Sequence, residues 1–262
     1  MVSVAAASSG AAPGIAISGA SIRFGGHEIA TALDLTIVAG RTTCLLGPSG
    51  VGKTTLLKLI AGLVPPGATG EIRASDGFPL TGRVAYMAQQ DLLLPWLNVL
   101  DNICLGFRLR RDPAGLAAAR RRALDLLAEV GLEAWATASP SQLSGGMRQR
   151  AALLRTLVED RPVVLMDEPF AQLDAVSRLE LQELAARLLE RRTVVLVTHD
   201  AFEALRIGHA VHVLAGRPVR IGAAITPAGL PPRAVDDQQA LALQAPLLRE
   251  LAAAHASLRH AA

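Results

Sequence analysis

Gly47-Pro48-Ser49-Gly50-Val51-Gly52-Lys53-Thr54 fits the pattern G-x-x-x-x-G-K-[ST]. Glycines at this spacing let consecutive backbone N–H groups curl around a phosphate. A helix opening behind them turns its positive N-terminal end on the same anion. Lys53 would neutralise charge on the outer phosphates of a nucleotide, and the Thr54 hydroxyl is a ligand for Mg²⁺. With Thr55, the segment 47–55 is the expected grip on the nucleotide's phosphates. The bland alternative is a chance glycine turn between a strand and a helix. A second constellation argues against it. Val163-Val164-Leu165-Met166-Asp167-Glu168 is an apolar run that ends in two carboxylates, which is costly unless a cation or ligand meets them. In that pairing Asp167 would hold Mg²⁺ through water and Glu168 would polarise an attacking water. Taken alone, Asp-Glu at a strand end is more commonly just solvated.

The elements that must carry these groups are readable around them. Residues 41–46 (R-T-T-C-L-L) read as a strand feeding the glycine loop, and residues 54–61 have helical spacing. Gly62 to Gly70, with Pro65-Pro66, reads as a loop. Residues 82–87 look like another strand, and 15–37 like short strands broken at Gly25-Gly26. The runs 163–166 and 193–198 are short, β-branched and non-alternating, as suits central strands of a parallel sheet covered on both faces. Between them, residues 177–192 read as a crossover helix, so the alternation argues α/β. Asp112-Pro113 is a helix start, followed by Leu116, Ala123, Leu127 and Val130 on one side, with Gly131 placed to end it. The middle third, 89–143, reads as helical, and 236–261 as a terminal helix.

Composition narrows the classes. Of 262 residues, 51% are hydrophobic, enough for a substantial core. Aromatics are 3%, too few for a single-strand nucleic-acid stacking platform. The net charge of +3 is spread along the chain, and the triplet Arg120–Arg122 reads as a solvated helix face rather than a nucleic-acid or lipid site. Cys44 and Cys104 form no disulfide framework and no metal-ligand spacing. Residues 1–14 lack the basic and apolar regions of a secretory signal. No stretch reaches the roughly 18 uninterrupted apolar residues of a spanning helix. A soluble chain is expected, acting at a membrane only through a partner.

Leu143-Ser144-Gly145-Gly146-Met147-Arg148-Gln149-Arg150 is a second anion-binding helix start, although a chain with one nucleotide loop has no obvious use for it. Here the residues resemble the ATP-binding-cassette family, whose signature reads L-S-G-G-x-[RQ]-Q-R. Further family marks follow in order. Phe24 stands where the family places an aromatic that stacks on adenine; a core Phe is the equal alternative. Gln89, ahead of Leu93-Leu94-Pro95-Trp96, resembles the Q-loop glutamine, its spacing to Pro95 favouring it over Gln90. Asp174 in Ala171-Gln172-Leu173-Asp174 resembles the D-loop, with Ala-Gln in place of the usual Ser-Ala. His199 in Thr198-His199-Asp200 resembles the switch histidine that contacts the γ-phosphate, and it sits at a strand's carboxyl end, where α/β sites are built. The resemblance covers roughly residues 15–218.

The resemblance implies a P-loop NTPase of the α/β class: a RecA-like core with an antiparallel β subdomain and an inserted α-helical subdomain. The corresponding division is a flexible tail over 1–14, core over 15–88, helical subdomain with the Q-loop over 89–143, core again over 144–220, and a C-terminal segment over 221–262. It implies ATP as substrate with Mg²⁺ at Thr54, Gln89 and Asp167. Glu168, His199, Gln89 and Lys53 become the catalytic set. Phe24, Gly47, Pro48, Ser49, Gly50, Val51, Gly52, Lys53, Thr54 and Thr55 hold the nucleotide, completed by Ser144, Gly145, Gly146 and Asp174 across a head-to-tail dimer. A single copy of each motif means that a sealed site needs a second chain. The segment 94–102 resembles the part of importer ATPases that receives a permease's coupling helix. The Leu94-Pro95-Trp96 run is most similar to cassettes serving nitrate, sulfonate, taurine or thiamine-precursor uptake, and residues 85–90 to pyrimidine-precursor members. The partners implied are a second copy, integral-membrane permease subunits and, indirectly, an extracytoplasmic solute-binding protein, with no nucleic acid, at the cytoplasmic face of the plasma membrane. The competing class is a non-transport cassette ATPase acting on nucleic acid or ribosomes, whose zinc motifs, long coiled coils or second cassette are not found here.

Overall fold

The computed structural model describes residues 11–24, 27–63 and 67–260. The chain opens with β1 (Ile15–Phe24) and β2 (His27–Ile37), then β3 (Thr42–Leu46), which runs into the glycine loop and α1 (Lys53–Ile60). β4 (Thr69–Ala74) and β5 (Val84–Met87) follow. A helical stretch comes next, with α2 (Val99–Ile103), α3 (Leu105–Leu109), α4 (Pro113–Glu129) and two short 3₁₀ turns. The remainder alternates: α5 (Gly145–Val158), β6 (Val163–Asp167), α6 (Ala175–Leu188), β7 (Thr193–Thr198), α7 (Ala201–Ile207) and β8 (Ala210–Ala215), then β9 (Arg220–Ile221) and α8 (Gln238–His260).

Two sheets result. β2-β1-β4 is antiparallel, and β5-β6-β7-β3-β8-β9 is parallel except for its last pair. β3 lies between β7 and β8, so the glycine loop emerges near the carboxyl ends of the buried strands. Strand side chains alternate between faces. Leu45, Val163, Leu165, Val195 and Val197 join α1 and the antiparallel sheet in one core. Cys44, Leu46, Val164, Met166, Val194 and Leu196 join α5 and the other helices in a second core. That two-sided burial explains the unbroken apolar runs in β6 and β7, at about 1.5–3 kcal/mol per buried Val or Leu.

α4 starts as its sequence requires: the Asp112 side chain accepts from Gly115 N at 2.9 Å, and Pro113 occupies the first turn. Arg120 and Arg122 of the basic triplet pair with Asp101 and Asp160, at 2.8 Å each. The loop expected over 62–70 gives way at Thr69 to β4. Gly70 takes φ +101 there, and a Cβ would collide with Ala20 Cα at 2.5 Å, so the backbones of β1 and β4 touch directly. Among the described residues, no helix is long and apolar enough to cross a membrane.

The C-terminal segment is tied to the core by Arg233, which is buried. Its guanidinium donates to the carbonyls of Leu205, Pro227, Ala228, Gly208 and Gly229 at 2.6–3.1 Å. Two of these carbonyls lie at the C-terminal end of α7, where a cation is favoured. Glu203, also on α7, is buried, and burial pushes its carboxyl up to about 8. The folded chain therefore holds this proton at pH values where the unfolded chain has released it. Stability from this group is complete below about pH 4.5 and declines as pH rises towards 8. Glu203→Gln should remove that decline, leaving the variant more stable than the wild type at pH 8 by about 2–4 kcal/mol. Thermal unfolding at pH 5 and pH 8 tests it: parallel pH dependences in the two proteins would exclude this origin.

Candidate active site

The glycine loop is shaped by its own backbone. Gly50 and Gly52 adopt φ +78 and +113, and a Cβ on Gly52 would press on Ile29 and Val219 at about 3.0–3.1 Å. Gly52 is the N-cap of α1, and no acidic side chain occupies the first turn, so its amides face the loop without an internal anion. Lys53 is buried and donates to the carbonyls of Gly47 at 2.7 Å and Pro48 at 3.0 Å. Burial lowers its pKa, opposed by Glu168 and Asp167.

Strand ends deliver the acids. Thr54 Oγ1 donates to Asp167 Oδ1 at 3.1 Å, and the Tyr86 hydroxyl donates to Asp167 Oδ2 at 3.2 Å. Burial raises the pKa of Asp167 despite both bonds, so the ionised form wants a cation beside it. Glu168 lies 3.7 Å from Lys53 Nζ; Gln89 Nε2 donates to it at 3.1 Å, and His199 Nδ1 is 3.2 Å away. Its backbone is left-handed, φ +46, and its N–H is held by Val197 O at 2.9 Å. The strained turn aims the carboxylate away from the buried strand and towards Gln89 and His199. Thus β3, α1, β5, β6 and β7, distant in sequence, bring Lys53, Thr54, Gln89, Asp167, Glu168 and His199 to one place.

Other expected residues stand elsewhere. Phe24 ends β1, and its side chain lies outside the described residues. Ser144 caps α5, its Oγ accepting from Met147 N at 3.3 Å, and with Gly145 it is exposed. Among the described residues no hydrogen bond or salt bridge joins the 144–146 turn to the Lys53–Glu168 cluster. Gly146 instead faces Leu173 and Ser177. Asp174 is an exposed N-cap of α6; the Ser177 and Val176 amides bond its carboxylate and lower its pKa.

Several contacts here have no counterpart in the sequence reading, although Tyr86, Asn102 and Arg148 lie inside stretches it quoted. Tyr86 is the second partner of Asp167. Arg148 of α5 donates to Leu143 O at 2.8 Å and to Asp91 at 3.2 Å, and Arg155 donates to the carbonyls of Asp91 and Leu92. α5 therefore clamps the segment that follows Gln89. Asn102 is fully buried and bonds Leu94 through both N–H and C=O, as well as Leu97 O and Asn98 O. These bonds brace the Leu94-Pro95-Trp96 turn, which leaves Trp96 74% exposed beside exposed Leu92.

Comparison with known proteins shows the family. A family profile described as ABC transporter matches residues 30–171. An uncharacterized ABC transporter ATP-binding protein of Haemophilus influenzae is 39% identical over 240 residues, 90% of this chain and 98% of that one. The aliphatic sulfonates import ATP-binding protein SsuB 1 of Rhodococcus jostii is 44% identical over 203 residues, 77% of this chain and 79% of its own. SsuB of Delftia acidovorans is 42% identical over 237 residues, covering 90% and 92% of the two chains. Among solved structures, the ATP-binding cassette MJ0796, dimeric in a post-hydrolysis state with ADP and Pi bound, superposes with a TM-score of 0.68. It is 28% identical and covers 82% of this chain and 100% of its own.

Proposed function

The chain belongs to the ABC transporter family of ATP-binding proteins and hydrolyses ATP in support of transport, and from that premise we propose that it energises import of aliphatic sulfonates or similar small solutes through a separate permease. The observation that carries the mechanism is the separation of two half-sites. Lys53, Thr54, Asp167, Glu168, Gln89 and His199 converge, whereas Ser144–Gly146 form a helix start, exposed at Ser144 and Gly145, that no hydrogen bond or salt bridge joins to them among the described residues. A second copy packed head to tail would bring its own Ser144–Gly146 against the bound nucleotide. The similar cassette MJ0796 is dimeric with ADP and Pi bound, which supports a dimer here.

In this reading the amides of the 47–55 loop and Lys53 hold the phosphates, and Lys53 exchanges its bonds to Gly47 O and Pro48 O for phosphate oxygens. Thr54, Asp167 and Gln89 supply the oxygen donors that a hard divalent cation takes, and the raised pKa of Asp167 fits that use. Bound there, Mg²⁺ would offset charge on the β- and γ-phosphates. Glu168 orients and deprotonates the attacking water, while Gln89 and His199 hold the carboxylate and the γ-phosphate in line. Closure of the second copy excludes water, and loss of the γ-phosphate removes the ligand that bridges the halves.

The permease contact is the exposed Leu92–Trp96 face braced by Asn102. A rigid, exposed aromatic is a good anchor for a partner helix, and peripheral attachment at the membrane follows. The sulfonate assignment draws on the relatives' printed functions. Co-expression with a neighbouring permease and solute-binding protein tests the reading in vesicles. ATPase activity should rise when the binding protein is loaded with an aliphatic sulfonate. Stimulation by another solute would move the cargo. Stimulation by nucleic acid or ribosomes with no response to any permease would overturn transport.

A further inference from the structure

α6 and α7 each start directly after a loop of the proposed site: α6 after Asp174, and α7 after His199–Asp200. Between the two helices lies a polar seam. Arg178, Gln182 and Glu183 of α6 face Asp200, Glu203 and Arg206, with Arg206 donating to Gln182 Oε1 at 3.2 Å and to Glu183 at 2.8 Å. At the end of the seam nearest the site, one guanidinium spans both loops. Arg178 Nη2 donates to Leu173 O at 3.0 Å, and Nη1 pairs with Asp200 Oδ2 at 3.2 Å. Leu173 adjoins Asp174, and its side chain lies 3.9 Å from where a Cβ on Gly146 would stand; Asp200 adjoins His199.

Asp200 is itself firmly held. Its N–H donates to Thr198 Oγ1 at 3.0 Å, and its Oδ1 caps α7 by accepting from Phe202 N at 2.9 Å and Glu203 N at 3.1 Å. Stability alone is a poor reason for the Arg178 bridge. Both partners are 31% exposed, where water screens an ion pair and leaves it little net stabilisation. Arg178 Nε is buried with no hydrogen-bond partner, which costs stability. What the bridge does uniquely is fix two loops through one planar, two-ended group, a task that an ammonium on a flexible stem performs poorly.

We propose that Arg178 is a positioning residue that locks the Asp174 loop to the His199 loop, so that docking of a second copy on the 144–146 and 174 surface is felt at His199 beside Glu168. The proposal rests on the half-site reading above. It makes the surface this chain lends to its partner and the catalytic groups it keeps parts of one mechanical unit, coupled through a contiguous path of packed and hydrogen-bonded groups.

Four variants of the full chain test it: Arg178→Ala, Asp200→Asn, the double variant and His199→Ala. Asp200→Asn breaks the ion pair while a side-chain oxygen can still cap α7, so it carries the test should Arg178→Ala fold poorly. Arg178→Ala and Asp200→Asn should each lower kcat about tenfold, as expected when catalytic groups lose their alignment. Binding of a fluorescent ATP analogue and the Tm should stay close to wild type. The double variant should be no slower than either single one, because both remove the same bridge. Unchanged kcat, additive losses, or kcat falling only in step with nucleotide binding and Tm would overturn the proposal. His199→Ala separates the two levels. If it keeps full activity, the underlying site reading fails. If it is inactive while Arg178→Ala and Asp200→Asn both keep the wild-type kcat, only the coupling fails.

Discussion

Glu168→Gln is expected to bind ATP normally, to hydrolyse it about 10²–10⁴-fold more slowly, and to accumulate as an ATP-bound dimer. Gln keeps the size of the side chain and its place beside Gln89, Lys53 and His199, so the loop should not move. It loses the negative oxygen that takes the water's proton. With the γ-phosphate retained, the ligand that joins two copies persists. Single-turnover hydrolysis and size-exclusion chromatography with ATP read the two halves separately. Turnover at the wild-type rate would mean that Glu168 is not the base. Slow turnover without a dimer would keep the base and remove the shared site.

Ser144→Arg addresses that shared site directly. Ser144 is exposed and its local structural duty is one cap bond to Met147 N at 3.3 Å, so loss of the cap costs about 0.5–2 kcal/mol and leaves the fold standing. A bulky side chain at this helix start should nevertheless block the second copy's nucleotide. Turnover should fall by at least about 10²-fold, the scale for losing preorganised donors at developing charge, with ATP binding to the isolated chain unaffected. Mixing Ser144→Arg with Lys53→Ala should restore part of the activity. Each mixed pair has one site built from an intact glycine loop and an intact 144–146 turn. Failure of the mixture to recover, or full hydrolysis by a chain kept monomeric, would rule out a site divided between copies.

The glycine loop, the Asp167-Glu168 strand end, the 144–150 stretch and the α/β alternation are all local patterns. Each shows within a few residues: glycines at 50 and 52 where φ > 0 is needed, unbroken apolar runs along β6 and β7, and a capping side chain at Ser144. Their types and approximate places could therefore be read directly from the chain. β4 was harder to see because its start at Gly70 is a close approach to Ala20 of β1, a tertiary contact with a loop-like composition.

Residue types and spacing thus name the groups able to do the chemistry, one copy of each motif. Which of them meet follows from how the strands and helices pack. Tyr86 joining Asp167, Arg148 and Arg155 clamping the segment after Gln89, Asn102 bracing the Trp96 turn, and Arg178 linking the loops of Asp174 and His199 are all contacts between side chains far apart in the chain. Such contacts leave no periodicity or spacing in a single sequence, because they depend on the order β5-β6-β7-β3 that sets strand ends side by side. The same packing left Ser144 and Gly145 exposed, and among the described residues no hydrogen bond or salt bridge joins them to the glycine loop. The proposed division of the site between two copies rests on that placement.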